Sequence, residues 1–205
     1  MVYLILFLVA ALSRYLPHPP NVTAIVAISV IAGAYVSPRW AWLVPLTAIL
    51  VTDVFFLEPY GATAMAFVYG GHALAIGMSL LGSWAFVRQR AHRQEERETG
   101  AAGRIRMRSL LDGYVLCGAA AFAGLLFWTV SNFGSFLVYY PQTPNGLATC
   151  YGLALPFLRN QLLGDVLITG GLFLAIESLR PVAGPAWMGF GGPRRVVERV
   201  PRRDR

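Results

Sequence analysis

Residues Ser131–Asp165 read SNFGSFLVYYPQTPNGLATCYGLALPFLRNQLLGD. Amides, tyrosines, prolines and glycines concentrate here, and Arg159 and Asp165 lie near the end. The stretch reads as one wall of a ligand pocket at the outer face of a small helical membrane protein. How Gly146–Leu179 crosses the bilayer decides the fold. A crossing takes about 20 apolar residues, so this segment is long for one crossing and short for two.

Charge resolves the count. The chain is 56% hydrophobic and 13% charged, against about 25% charged in an average globular domain. All 17 basic residues are arginine, gathered mainly in Arg88–Arg108 and Arg180–Arg205. The net charge of +7 would point to nucleic acid in a soluble chain, but no aromatic-interleaved basic patch accompanies it. Basic blocks flanking apolar spans instead mark the cytoplasmic side. An even number of crossings must then separate the two blocks, so Gly146–Leu179 supplies one, assigned to Asn160–Leu179. Gly146–Phe157 becomes an interfacial or re-entrant helix ending at Pro156.

Working back gives an all-α membrane protein, a six-transmembrane-helix bundle over residues 1–180. Its spans are about 1–16, 22–36, 40–57, 62–87, 109–133 and 160–179. Residues 181–205 form a basic, disordered cytoplasmic tail. Pro17–Pro20 stop the first helix, and Asn21 offers an N-cap for the second. The start, MVYLILFLVAALSRYLP, lacks a basic leader region and reads as an uncleaved span. Both termini face the cytoplasm of a bacterial inner membrane. The outer loops, Pro17–Asn21, Glu58–Gly61 and Gly134–Asn145, contain no arginine. Cys117 and Cys150 fall at opposite depths and form no disulfide framework.

Ionisable groups inside a membrane are costly and therefore functional candidates. At 1.5 Å per residue, Asp53 lies roughly 6 Å, and Asp165 roughly 8 Å, below the outer ends of their spans. Arg159 stands at the mouth above them. Two compatible readings follow: a polar outer pocket, or an Asp–Arg pair stapling spans three and six. His72 lies about 15 Å into the fourth span, where an interhelical hydrogen bond across a close glycine contact is expected. Asp112 with Arg108, and Glu177 with Arg180, read as surface pairs. Ala119 with Ala123, Ala120 with Gly124, and Gly71 with Ala75 read as packing contacts within the bundle.

The candidate ligand-binding set is Asn21, Asp53, Tyr60, Asn132, Tyr139, Tyr140, Tyr151, Arg159, Asn160 and Asp165. Aromatic rings with amides suit a planar heteroaromatic ligand, because rings stack while amides orient. An aromatic belt at the membrane interface is the plainer reading of any single tyrosine. His18 and Cys150 lack metal-ligand spacing. No cofactor is implied.

SRYLPHPPNVTAIVAISVIAGAY, LVTDVFF and Ser131–Asp165 together resemble an uncharacterised family of small bacterial integral membrane proteins. More distantly, the length, the six spans and GAYVSPRWAWLVPLTAILVTDVFF are similar to the S components of energy-coupling-factor vitamin transporters. That resemblance implies a substrate-binding subunit that takes up a small vitamin-like or cofactor-precursor molecule. Its partners would be a transmembrane coupling protein and ATPases, since this chain has no nucleotide-binding loop. One alternative is an intramembrane enzyme using Asp53 and Asp165 as a proton-sharing dyad. Gly164-Asp165 resembles the GxGD of membrane aspartyl proteases, with Leu162 in place of the first glycine. Another alternative is a structural membrane protein without ligand.

Overall fold

The computed structural model describes residues 2–36, 40–56, 61–98 and 105–183. Six helices follow in order: α1 (Val2–Tyr15), α2 (Ile25–Tyr35), α3 (Leu43–Phe56), α4 (Ala62–Glu98), α5 (Ile105–Tyr139) and α6 (Pro144–Ala183). No strand occurs among the described residues.

The helix at the centre is α2. Its sequence, IVAISVIAGAY, has no polar face, and every residue in it is buried. A helix apolar all round is stable only when enclosed on all sides. The other five helices each touch it. The hydroxyl of Ser29, its one polar side chain below Tyr35, returns to the Ile25 carbonyl at 2.8 Å. Ser83 of α4 lies 2.8 Å from the Val30 carbonyl. The helix start is capped from outside: Ser13 of α1 accepts from the Ala24 N–H at 3.0 Å and donates to the Ala10 carbonyl at 2.7 Å.

The helices run up and down. Arg14 at the end of α1 meets Asp53 near the end of α3, and Asp53 meets Tyr69 near the start of α4. At the other end, Val2 and Ile5 border a groove with Val36 and Ile176. Small residues let α4 and α5 approach: a Cβ added at Gly82 would overlap that of Ala119. Ala120 and Ala123 are fully buried in the same core. The expected small-residue packing thus lies inside the bundle.

Ala62–His92, Leu111–Tyr139 and Pro144–Leu179 are long and apolar enough to cross a membrane. The helices α1, α2 and α3 are shorter apolar segments. Four boundaries differ from expectation, the first at α4, which does not stop at Val87 but continues to Glu98. Asn21 does not cap α2, which begins four residues later at Ile25; it occupies a turn at φ 65°. α5 does not stop at Phe133 but continues to Tyr139. Gly146–Phe157 is not a separate interfacial or re-entrant helix but the first part of the continuous helix α6. Pro156 removes one backbone donor there, but α5 holds α6 after it through Gln161 Nε2, which donates to the Gly124 carbonyl at 3.1 Å, and before it through two further hydrogen bonds. Trp128 Nε1 donates to the Ala154 carbonyl at 3.0 Å, and Tyr151 Oη donates to the Thr129 carbonyl at 2.7 Å. Residues 184–205, and with them nearly all of the expected tail, lie outside the described residues.

Two polar layers cap the ends of α2. One is built on Arg90, whose Nε meets Asp112 Oδ2 at 3.0 Å and whose Nη2 meets Glu177 Oε1 at 2.9 Å. Tyr35 Oη donates to the same Glu177 oxygen at 2.8 Å. Asp112 is 4% exposed and Arg90 and Glu177 are half-buried, so the two acids expected at the surface take part in a clamp joining α2, α4, α5 and α6. The side chains of Arg108 and Arg180 lie outside the described residues. Removing one partner of a buried pair strands the other charge at a cost of about 3 kcal/mol or more. Arg90→Ala should therefore lower stability in detergent by about that amount. Adding Asp112→Asn and Glu177→Gln should restore part of it; equal stability of Arg90→Ala and the parent would show that the clamp contributes nothing.

Candidate functional site

The second polar layer lies at the opposite end of α2. Arg14 is held in place by its own helix and by α3. Its Nη2 meets Asp53 Oδ1 at 2.7 Å, and its Nη1 donates to Thr52 Oγ1 at 2.6 Å and to the Ile49 carbonyl at 3.4 Å. Tyr69 of α4 donates to Asp53 Oδ2 at 2.8 Å. The expected Asp–Arg staple exists, but it joins α1 to α3 through Arg14 rather than α3 to α6 through Arg159.

Beside this pair lies a cavity of about 170 Å³. Its polar lining is Arg14, Asn21, Thr23, His72, Gln161 and Asp165, and Ile25, Val26, Val68 and Phe127 complete it. Helix periodicity explains the α6 pair: Gln161 and Asp165 are four residues apart and share a face. Gly124 of α5 makes the room, since a Cβ there would overlap Asp165 Oδ2. Gln161 Nε2 donates to the Gly124 carbonyl at 3.1 Å and is fixed by it. The His72 ring stacks on Phe127 with centroids 4.2 Å apart. The glycine contact expected beside His72 is present, with Gly71 against Phe127, but the expected hydrogen bond is not: Nδ1 is buried without a partner.

Asp165 Oδ2 and Gln161 Oε1 are likewise buried without partners. Most buried polar side-chain atoms in proteins are hydrogen-bonded, so each exception calls for an explanation. The three residues that carry these atoms all line the cavity, the strongest concentration of unmet polar groups among the described residues.

A family model described as a family of unknown function (DUF6580) matches residues 1–187. The chain belongs to this family. No curated protein and no solved structure matches it.

Of the residues singled out from sequence, Asn21 and Asp165 line the cavity, and Asp53 adjoins it through Arg14. The aromatic cluster is not gathered there. Tyr151 packs edge-on against Trp128 at 5.1 Å, with its hydroxyl on the α5 backbone. Asn132 Nδ2 donates to the Trp128 carbonyl of its own helix at 2.8 Å. Tyr139 and Arg159 are exposed, Tyr140 and Asn160 are half-buried, and Tyr60 lies outside the described residues. The reason is the extension of α5 and α6. Gly124 to Tyr139 covers roughly 22 Å of helix at 1.5 Å per residue, so the tyrosines sit that far from the cavity. Arg14, Gln161 and Phe127 were missed. A lone arginine closing an apolar helix was the available signal for Arg14, and the four-residue spacing to Asp165 was the one for Gln161.

Two outcomes check this geometry. Arg14→Met should lower stability by about 3 kcal/mol, because Asp53 is left buried and unpaired. The double variant Arg14→Met/Asp53→Leu should recover most of that loss in the same unfolding assay. Asn21→Gly should leave stability near the parent, whereas Asn21→Val should cost about 1 kcal/mol or more, because a branched side chain is strained in the left-handed region.

Proposed function

We propose that this protein is a substrate-binding membrane subunit for uptake of a small molecule, held in the cavity between α2, α4, α5 and α6. The single observation that supports it is the set of orphaned polar atoms on His72, Gln161 and Asp165 around that cavity. Groups left unpaired in a hydrocarbon setting are expensive, and a ligand that bonds them repays the cost. The volume lies below the roughly 300–1,000 Å³ of sites for drug-sized ligands. A compact molecule, of vitamin-like or cofactor-precursor size at most, fits it. Likeness to S components of energy-coupling-factor transporters belongs to the same proposal, as does a coupling protein with ATPases as the source of energy.

In this reading all six helices cross a bacterial inner membrane. Arg90 lies toward one end of the bundle, the arginines of 93–108 follow it in sequence, and the cavity lies toward the other end. The positive-inside rule then puts the cavity end outside and both termini in the cytoplasm. The aspartate-dyad alternative has weaker support. A shared proton needs two free carboxylate oxygens side by side, whereas both oxygens of Asp53 are engaged, by Arg14 and Tyr69. A purely structural role leaves the three orphaned atoms without a purpose.

Purification from native membranes followed by mass spectrometry should find one small molecule retained by the parent and lost in Gln161→Leu. Recovery of lipid alone from both would count against the reading. With Cys117 and Cys150 replaced by Ser, Asn145→Cys should react with an impermeant maleimide in intact cells, and Gly100→Cys should not; the reverse pattern would invert the orientation.

A further inference from the structure

Resting on the binding role proposed above, we infer that the occupant of the cavity is a small, flat organic cation carrying N–H donors, such as a protonated amine or amidine on an aromatic ring. The inference comes from the signs and shapes of the groups that line the site. Of the four carboxylates whose side chains are described, Asp53, Asp112 and Glu177 each have an arginine partner, and Asp165 has none. It is 3% exposed, so neither solvent nor a neighbouring cation balances a charge on it. A buried charge without a partner is strongly disfavoured, and a cationic guest would supply the partner.

The other orphaned atoms point the same way. Gln161 Oε1 is an acceptor by nature, and the amide is held in that sense because its Nε2 is committed to the Gly124 carbonyl. His72 Nδ1 accepts whenever its proton is on Nε2. Carboxylate oxygen, amide oxygen and imidazole nitrogen form an acceptor set, which selects donors. The cationic group on the lining, Arg14, is not available to bind an anion. Its guanidinium is divided among Asp53, Thr52 and the Ile49 carbonyl.

Shape adds the aromatic requirement. Phe127 stacks on the His72 ring, and both line the cavity together with the aliphatic Val68, Ile25 and Val26. Walls of stacked rings and aliphatic side chains suit a flat hydrocarbon body. A bare metal ion is a poorer match. Among the described residues no group of three or more His, Cys, Asp or Glu could hold one.

Three probes share one ring and differ in charge: benzylammonium, benzyl alcohol and benzoate. Binding to the purified full-length protein in detergent is read by thermal shift and equilibrium dialysis. Benzylammonium should bind at least about tenfold tighter than benzyl alcohol, because a hydrogen bond to a charged group is worth about that factor. Benzoate should bind weakest. Asp165→Asn, which keeps the shape and removes the charge, should abolish the preference for the cation while leaving benzyl alcohol unchanged. Gln161→Leu should weaken benzylammonium independently, which covers failure of the first variant to fold. Benzoate or benzyl alcohol binding as well as the cation, or a preference that survives Asp165→Asn, would overturn the cationic class and leave a binding protein for a different substrate. No binding of any probe, with no molecule co-purifying, would remove both this inference and the function it rests on.

Discussion

The structure depends on the complete enclosure of α2. An apolar helix of 11 residues with no polar side has to be surrounded, and five helices do so. Enclosure leaves no place for charge along its length, so charge moves to its two ends. The Arg90 clamp at one end and the Arg14 pair with the cavity at the other are consequences of that exclusion. They differ in one respect that matters for function. At the Tyr35 end every described carboxylate is matched by Arg90. At the Asn21 end one carboxylate is matched and Asp165 is not.

That asymmetry separates a structural layer from a site. A closed network of ion pairs joins helices and offers nothing to a ligand. An acceptor set left open, next to a space large enough to fill, is what a bound molecule can complete. The close approach of α5 and α6 at Gly124 is what opens it. A larger residue there would occupy the position of the Asp165 carboxylate. The Gln161 amide, locked on the Gly124 carbonyl, then presents its oxygen rather than its nitrogen.

Legibility from sequence followed the range of the interaction. Helical class, the apolar runs of α4 and α5 and the position of Asp53 and Asp165 inside the bundle could be read because they rest on local composition and on the cost of charge in an apolar run. The tyrosine-rich stretch misled because density of polar residues in sequence is not proximity in space. Tyr151 Oη and Asn132 Nδ2 each donate to a backbone carbonyl of α5, which satisfies them away from the cavity. Pro156 misled in the same way. Its local effect is to end a helix, but contacts with α5 before it, through Ala154 and Tyr151, and after it, through Gln161, hold α6 in line.

The sequence by itself determined that this is a helical, membrane-compatible chain with a few acids set in apolar runs, because hydrophobic runs and isolated charges are properties of short segments. Only the tertiary structure decided which arginine neutralises Asp53 and which acid is left open. It also decided that His72, Phe127 and Gln161 surround that acid. Those partners are separated by as many as 151 positions between Arg14 and Asp165 (165 less 14), and no local pattern specifies which faces of six helices meet.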